Sequence, residues 1–278
     1  MSGSWTRRQF VSTTAVVLGG LGLVSTAGAD DERRSFVAEQ AGACYPVEPL
    51  DGDEPVEAFY DWGKEVRSWS SEGTRDLQRS ESSQLFLYRG PEGLSLVVLH
   101  DRADDETPGG AASFTIRGVP DGATWAVKDD LYDAPTNVDT WEINGTVLDA
   151  NETADGDIEA VPEMPAPVDD SGNATAVSGR TDEIDWWWTT GRTDGGALRG
   201  LGVDDLGLEV AAAFNEDAAL FEDPDHGEIT TWTLLSGEID DPDRTELDPD
   251  APLTLRTGTC GDSEPTAGAD KTPDVDTE

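Results

Sequence analysis

Lysine is almost missing from this chain: Lys64, Lys128 and Lys271 are the three in 278 residues, against fifteen arginines. Basic residues total 18 against 59 acidic ones, a formal charge of −41. A chain this short of cations has no basic stripe with which to neutralise phosphates, which argues against nucleic acid as a partner. Histidine is as scarce, with His100 and His226 alone. No HxH, HExxH or CxxC spacing occurs, so zinc and copper centres have no support. A G-x-S-x-G elbow, which would present a nucleophile on a strained strand-to-helix turn, is also absent. What remains for catalysis is His100 in "LHD", where Asp101 could orient it, or a pair of carboxylates of glycosidase type drawn from the many acids. A histidine capping a core strand is the plainer reading of His100, and no catalytic residue is assigned.

Long apolar runs are lacking too. The one apolar stretch, "AVVLGGLGLV" at 15–24, falls short of the roughly 20 residues a membrane helix needs. It is preceded by "TRRQFV", with Arg7 and Arg8 adjacent, and followed by "AGA", a small-x-small signal ending at Ala29. This order resembles a twin-arginine (Tat) export signal, the class read by machinery that carries folded proteins. The resemblance implies a signal peptide over 1–29, cleavage after Ala29, and a mature chain without a transmembrane anchor. Cleavage removes two arginines and no acid, leaving 16 − 59 = −43. Such self-repulsion needs screening by concentrated salt. Acid excess with few lysines is similar to the exported proteins of extremely halophilic archaea, which implies a halophilic, secreted or cell-surface protein. Disorder is the rival reading of the charge, but nine tryptophans argue for a folded core.

Cysteine occurs twice, at Cys44 and Cys260. In an oxidising compartment an even pair reads as a disulfide, here closing a loop of more than 200 residues and requiring Cα atoms about 5.5 Å apart. Three N-x-S/T sequons, at Asn144, Asn151 and Asn173, suit a glycosylated outer surface.

Several stretches alternate with period two or run apolar between Gly/Pro turns, the marks of strands. "QLFLYRGPEGLSLVVLHD" predicts a hairpin from 85–88 and 94–100. Further strands are expected at "ASFTIRG", "ATWAVKD", "DTWEINGTVL", "EIDWWWT", "LGLEVAAAF", "ITTWTLLSG" and "APLTLRTG". Helix is expected only at 54–66, with a turn near "NEDAALF". Nine or ten strands without alternating helices predict an all-β antiparallel sandwich. The expected organisation is a flexible segment at 30–43, one sandwich domain over 44–260, a flexible acidic insertion at 150–182, and a disordered tail at 261–278.

Two stretches are candidates for binding. In "DWWWTTGRTDGG", alternation sends Trp186 and Trp188 to one face of a strand and Trp187 to the other. The run is core packing, an aromatic platform for a sugar ring, or a protein interface, with Arg192 and Asp194 beside it as further ligand candidates or as a pair across the turn. In "VKDDLYDAPTNVDTW", Asp129, Asp130, Asp133, Asn137 and Asp139 gather hard oxygen donors of the kind calcium takes, although in so acidic a chain a solvated turn reads equally well. The functional expectation is a non-catalytic surface module for binding or structure, with an envelope or extracellular polysaccharide or protein as partner. The alternatives are a carbohydrate-binding module and, behind it, a hydrolase.

Overall fold

The computed structural model of the chain describes residues 35–63, 70–131, 138–148, 178–222 and 227–261. Arg7, Arg8, Ala29, Asp133, Asn137, Asn151, Asn173 and His226 lie outside the described residues, as do the tail beyond 261 and most of the predicted insertion.

The described chain is an all-β sandwich of two sheets. The first runs in the order β2 (Ala43–Val47), β1 (Phe36–Gln40), β15 (Leu253–Thr257), β12 (Gly207–Phe214), β6 (Gly110–Val119), β10 (Arg180–Trp188), β8 (Thr140–Ile143) and β9 (Thr146–Val147). The second runs β14 (Asp243–Leu247), β13 (Thr231–Ser236), β4 (Ser82–Gly90), β5 (Gly93–His100), β11 (Asp194–Leu201) and β7 (Thr124–Lys128), with the two-residue β3 (Leu50–Asp51) on β4. Pairing is antiparallel except where β13 and β3 run parallel to β4.

Side-chain alternation builds two apolar layers from this arrangement. Leu85 and Leu87 of β4, Leu94, Leu96 and Val98 of β5, and Phe114 and Ile116 of β6 meet between the sheets. The intervening Phe86, Tyr88, Val97 and Leu99 face outward from the second sheet and are covered by the helix α1 (Val56–Tyr60), whose Val56 and Tyr60 are buried there. Strands β4 and β5 are therefore buried on both faces, which is why they read as continuous apolar runs rather than as alternation. The Phe59 ring stacks on Tyr88 at 4.3 Å to close that layer.

Several expectations need correction. The segment expected to be flexible at 30–43 holds β1, with Phe36, Val37 and Ala38 buried; it lies between β2 and β15, paired on both sides. The helix expected over 54–66 is one short turn, ended by Asp61 in the left-handed region at φ 47°. The predicted strand "DTWEINGTVL" is a hairpin of β8 and β9, turned at Asn144 and Gly145, both at positive φ, the pair a type I′ turn favours. The insertion expected to last until 182 ends earlier, because β10 begins at Arg180 and Asp182 is buried. The glycines of "TDGGALRG" form a strand, β11, not a turn.

That strand depends on the missing side chains. Gly195 sits at φ +145°, and a Cβ there would lie 2.1 Å from the carbonyl oxygen of Val98. Gly195→Ala is expected to lose about 3 kcal/mol or more, since a methyl group must push β5 away and adopt a φ that alanine avoids. Urea denaturation in molar salt checks this, and a midpoint within error of the parent would show that the pairing tolerates displacement.

Cys44 of β2 is disulfide-bonded to Cys260, just beyond β15, with the Cα atoms 5.7 Å apart. The expected pairing is present, and it ties the edge strand β2 across β1 to the end of the domain.

Candidate functional site

The tryptophan run lies on β10, between β6 and β8. Trp186 and Trp188 point between the sheets and are 0 % and 1 % exposed, so neither offers a face to a ligand. Their indole N–H groups are spent inside: Trp186 Nε1 donates to the Gly195 carbonyl at 3.0 Å, and Trp188 Nε1 to Asp101 Oδ2 at 3.0 Å. Trp187 faces the other way and is half-buried, while its backbone N–H donates to Asp139 Oδ1 at 2.9 Å. Of the proposed aromatic platform, only Trp187 keeps surface.

The same end of the sandwich gathers four aspartates. Asp129 and Asp130 follow β7, Asp194 opens β11 beside it, and Asp139 stands just before β8 in the opposite sheet. Asp129 Oδ2 accepts from the Tyr60 hydroxyl of α1 at 2.6 Å, and Asp194 Oδ1 accepts from the N–H of Gly195 at 2.7 Å. Asp194 is held in place from its neighbour, since Thr193 N–H donates to Ser70 Oγ at 3.0 Å and Thr193 Oγ1 accepts from Ser71 N–H at 2.8 Å. Asp129 and Asp194 are wholly buried. Each has one carboxylate oxygen with no donor, Oδ1 of Asp129 and Oδ2 of Asp194. Burial, then mutual repulsion, pushes the carboxyls of Asp129, Asp139 and Asp194 well above the ordinary carboxylate range. Asp130 is pushed up to about 7 by burial, against the opposing pull of Arg192. Arg192 thus acts on Asp130, and Asp194 is not its surface partner across the turn.

Of the five residues in the expected oxygen-donor loop, Asp129, Asp130 and Asp139 come together here, and Asp194 joins them from 55 positions beyond Asp139. Reading along the loop alone could not find it, nor Tyr60, which arrives on α1. Asp194 stood in the sequence as a candidate beside the tryptophan run, and no local pattern ties it to Asp129.

His100 is not oriented by Asp101. Asp101 takes the Trp188 indole and the Glu81 backbone N–H instead. The imidazole lies flat against Trp188 at 5.1 Å, near Trp186 and Phe114. It is fully buried, with no hydrogen-bond partner on either ring nitrogen. Burial pushes it down from 6.5 to about 3, so it stays neutral and cannot serve as a surface acid or base. Because the unfolded chain binds this proton and the folded chain does not, stability is lost as pH falls below 6.5 and levels off near 3. The loss is on the order of 5 kcal/mol. The aspartates act in the opposite sense. Their raised values remove stability as pH climbs from 3.8, through about 7 for Asp130. His100→Leu is expected to flatten the acid limb of the stability curve while leaving the alkaline limb intact. Denaturant midpoints between pH 3 and 8 test this, and an acid limb unchanged in the variant would assign it to other groups.

Compared with known proteins, the chain matches no family model, no curated protein and no solved structure.

Proposed function

We propose that the mature chain is an exported, salt-adapted β-sandwich that works outside the cytoplasm as a non-catalytic module for binding or structure at the cell surface or in the medium. The observation that carries this reading is the Cys44–Cys260 bond, because structural disulfides persist in oxidising compartments. The export-type N-terminus and the acid excess agree with it. A His100 sealed among tryptophans supports a non-catalytic role. The alternative, a carbohydrate-binding module, rests on Trp187 alone, since a sugar ring needs an open aromatic face.

Fractionation of cells making the full chain, with thiol labelling of each fraction, tests the reading. The expected result is a shortened, fully oxidised protein in the envelope or medium, and unprocessed precursor in the cytoplasm once Arg7 and Arg8 are changed to lysine. Reduced, full-length protein confined to the cytoplasm of the parent strain would overturn it. Saturable quenching of tryptophan fluorescence by envelope polysaccharide, lost in Trp187→Ala, would select the carbohydrate alternative.

A further inference from the structure

We propose that Asp129, Asp130, Asp139 and Asp194 form a binding site for a hard divalent cation of the calcium type, clamping the two sheets together at this end of the sandwich. Asp129 and Asp130 follow the edge strand β7 and Asp194 opens β11 beside it in the second sheet, whereas Asp139 stands just before β8 of the first, so one ion held among them would join both layers.

The protein leaves buried carboxylate oxygens at this site without donors. Asp129 has one oxygen fixed by Tyr60 and Asp194 has one fixed by Gly195. The other oxygen of each is buried and meets no N–H or O–H group. A buried carboxylate in that condition is costly unless a proton or a cation completes it. Asp139 and Asp194 stand within hydrogen-bonding reach of each other, and Asp129 and Asp130 lie close enough to repel when ionised. Among the described residues, the cation acting on Asp130 is Arg192. The donors are all carboxylate oxygens, which suits calcium, with about six to eight oxygen ligands, rather than zinc or copper.

Among the described residues no three acidic side chains already stand at the spacing of a metal cage. Binding therefore requires the carboxylates to close on the ion, and the donor-free oxygens of Asp129 and Asp194 are the ones open to it. The fixed oxygens, on Tyr60 and Gly195, act as anchors that orient the free ones.

Chelator-treated mature protein in molar sodium chloride at pH 7.5 is titrated with calcium chloride alone by calorimetry, and with terbium by luminescence excited through the tryptophans. The expected results are one saturable site, terbium emission displaced by calcium, and an unfolding midpoint that rises with calcium. Asp129→Asn and Asp194→Asn should each weaken binding at least tenfold. If either variant fails to fold, the terbium signal of the parent and its displacement still decide the matter. Absence of saturable binding in the parent, or variants that bind as tightly as the parent, would overturn the proposal. So would an Asp194→Asn variant stabilised equally with and without calcium, which would mark the cluster as one neutralised by shared protons.

Discussion

Cys44→Ser is expected to lower the thermal midpoint in molar salt by on the order of 10 °C, and the parent protein treated with reductant should melt at the same place. The bond spans 216 positions, and closing so long a loop restricts the unfolded chain by up to about 5 kcal/mol in the chain-entropy model. In a domain of this size each kcal/mol moves the midpoint by roughly 2–4 °C. The native geometry locates the effect. Cys44 lies on β2, the edge of its sheet, and the bond reaches across β1 to the end of β15. Without it, β2 and β1 are the strands that open first, uncovering Phe36 and Ala38. The register of β1 on β15, from Phe36 opposite Thr257 to Glu39 opposite Thr254, does not need the bond, so the variant should still fold. Calorimetry of the three samples checks this, and coincident midpoints for oxidised and reduced protein would show that the crosslink adds no stability.

Removing salt is expected to have a larger effect still. Going from molar to about 0.1 M salt lengthens the screening distance from about 3 Å to about 10 Å, which restores repulsion among carboxylates spread over both sheets. Arginines offset little of it. Arg199 bridges Glu57 and Glu92 at 2.7 and 2.8 Å, Arg117 meets Glu209 at 2.8 Å, and Arg89 meets Asp51 at 3.2 Å, all partly or fully in solvent. Pairs of that kind contribute about 0–1 kcal/mol each. Circular dichroism should lose its β-signal on dialysis into dilute buffer and regain it when salt is restored. A spectrum constant down to millimolar salt would mean that the double apolar layer outweighs the charge.

The all-β class, the hairpin of β4 and β5 and most later strands could be read directly, because alternation and Gly/Pro punctuation are local signals. Strand β11 could not. Two glycines and an aspartate in "TDGG" look like a turn, and their strand role appears only when the neighbours are known: a Cβ at Gly195 would strike Val98, and one at Gly196 would lie 2.9 Å from the Trp141 ring. The N-terminal strand β1 was hidden for another reason. Its partner β15 lies more than 200 residues away, and five residues carry too short a pattern to mark themselves. The site was half legible. Asp129, Asp130 and Asp139 share one stretch of sequence, whereas Asp194 and Tyr60 reach them only through sheet pairing and the docking of α1. Likewise, Trp186 and Trp188 could be placed on one face from alternation, but that this face is the inner one follows from the second sheet lying over it.

The pairing of β1 with β15 sets an order of events for the newborn chain. The first strand of the described domain has one neighbour, β15, among the domain's last strands, and β4 waits for β13, β6 for β12. Such distant partnerships make folding slow, on a scale of milliseconds to seconds or beyond, and the first sheet is incomplete until β15 has been made. Both sheets wait on strands from the second half of the domain. A carrier that engages this protein early meets single strands and local hairpins such as β4–β5, not a closed sheet.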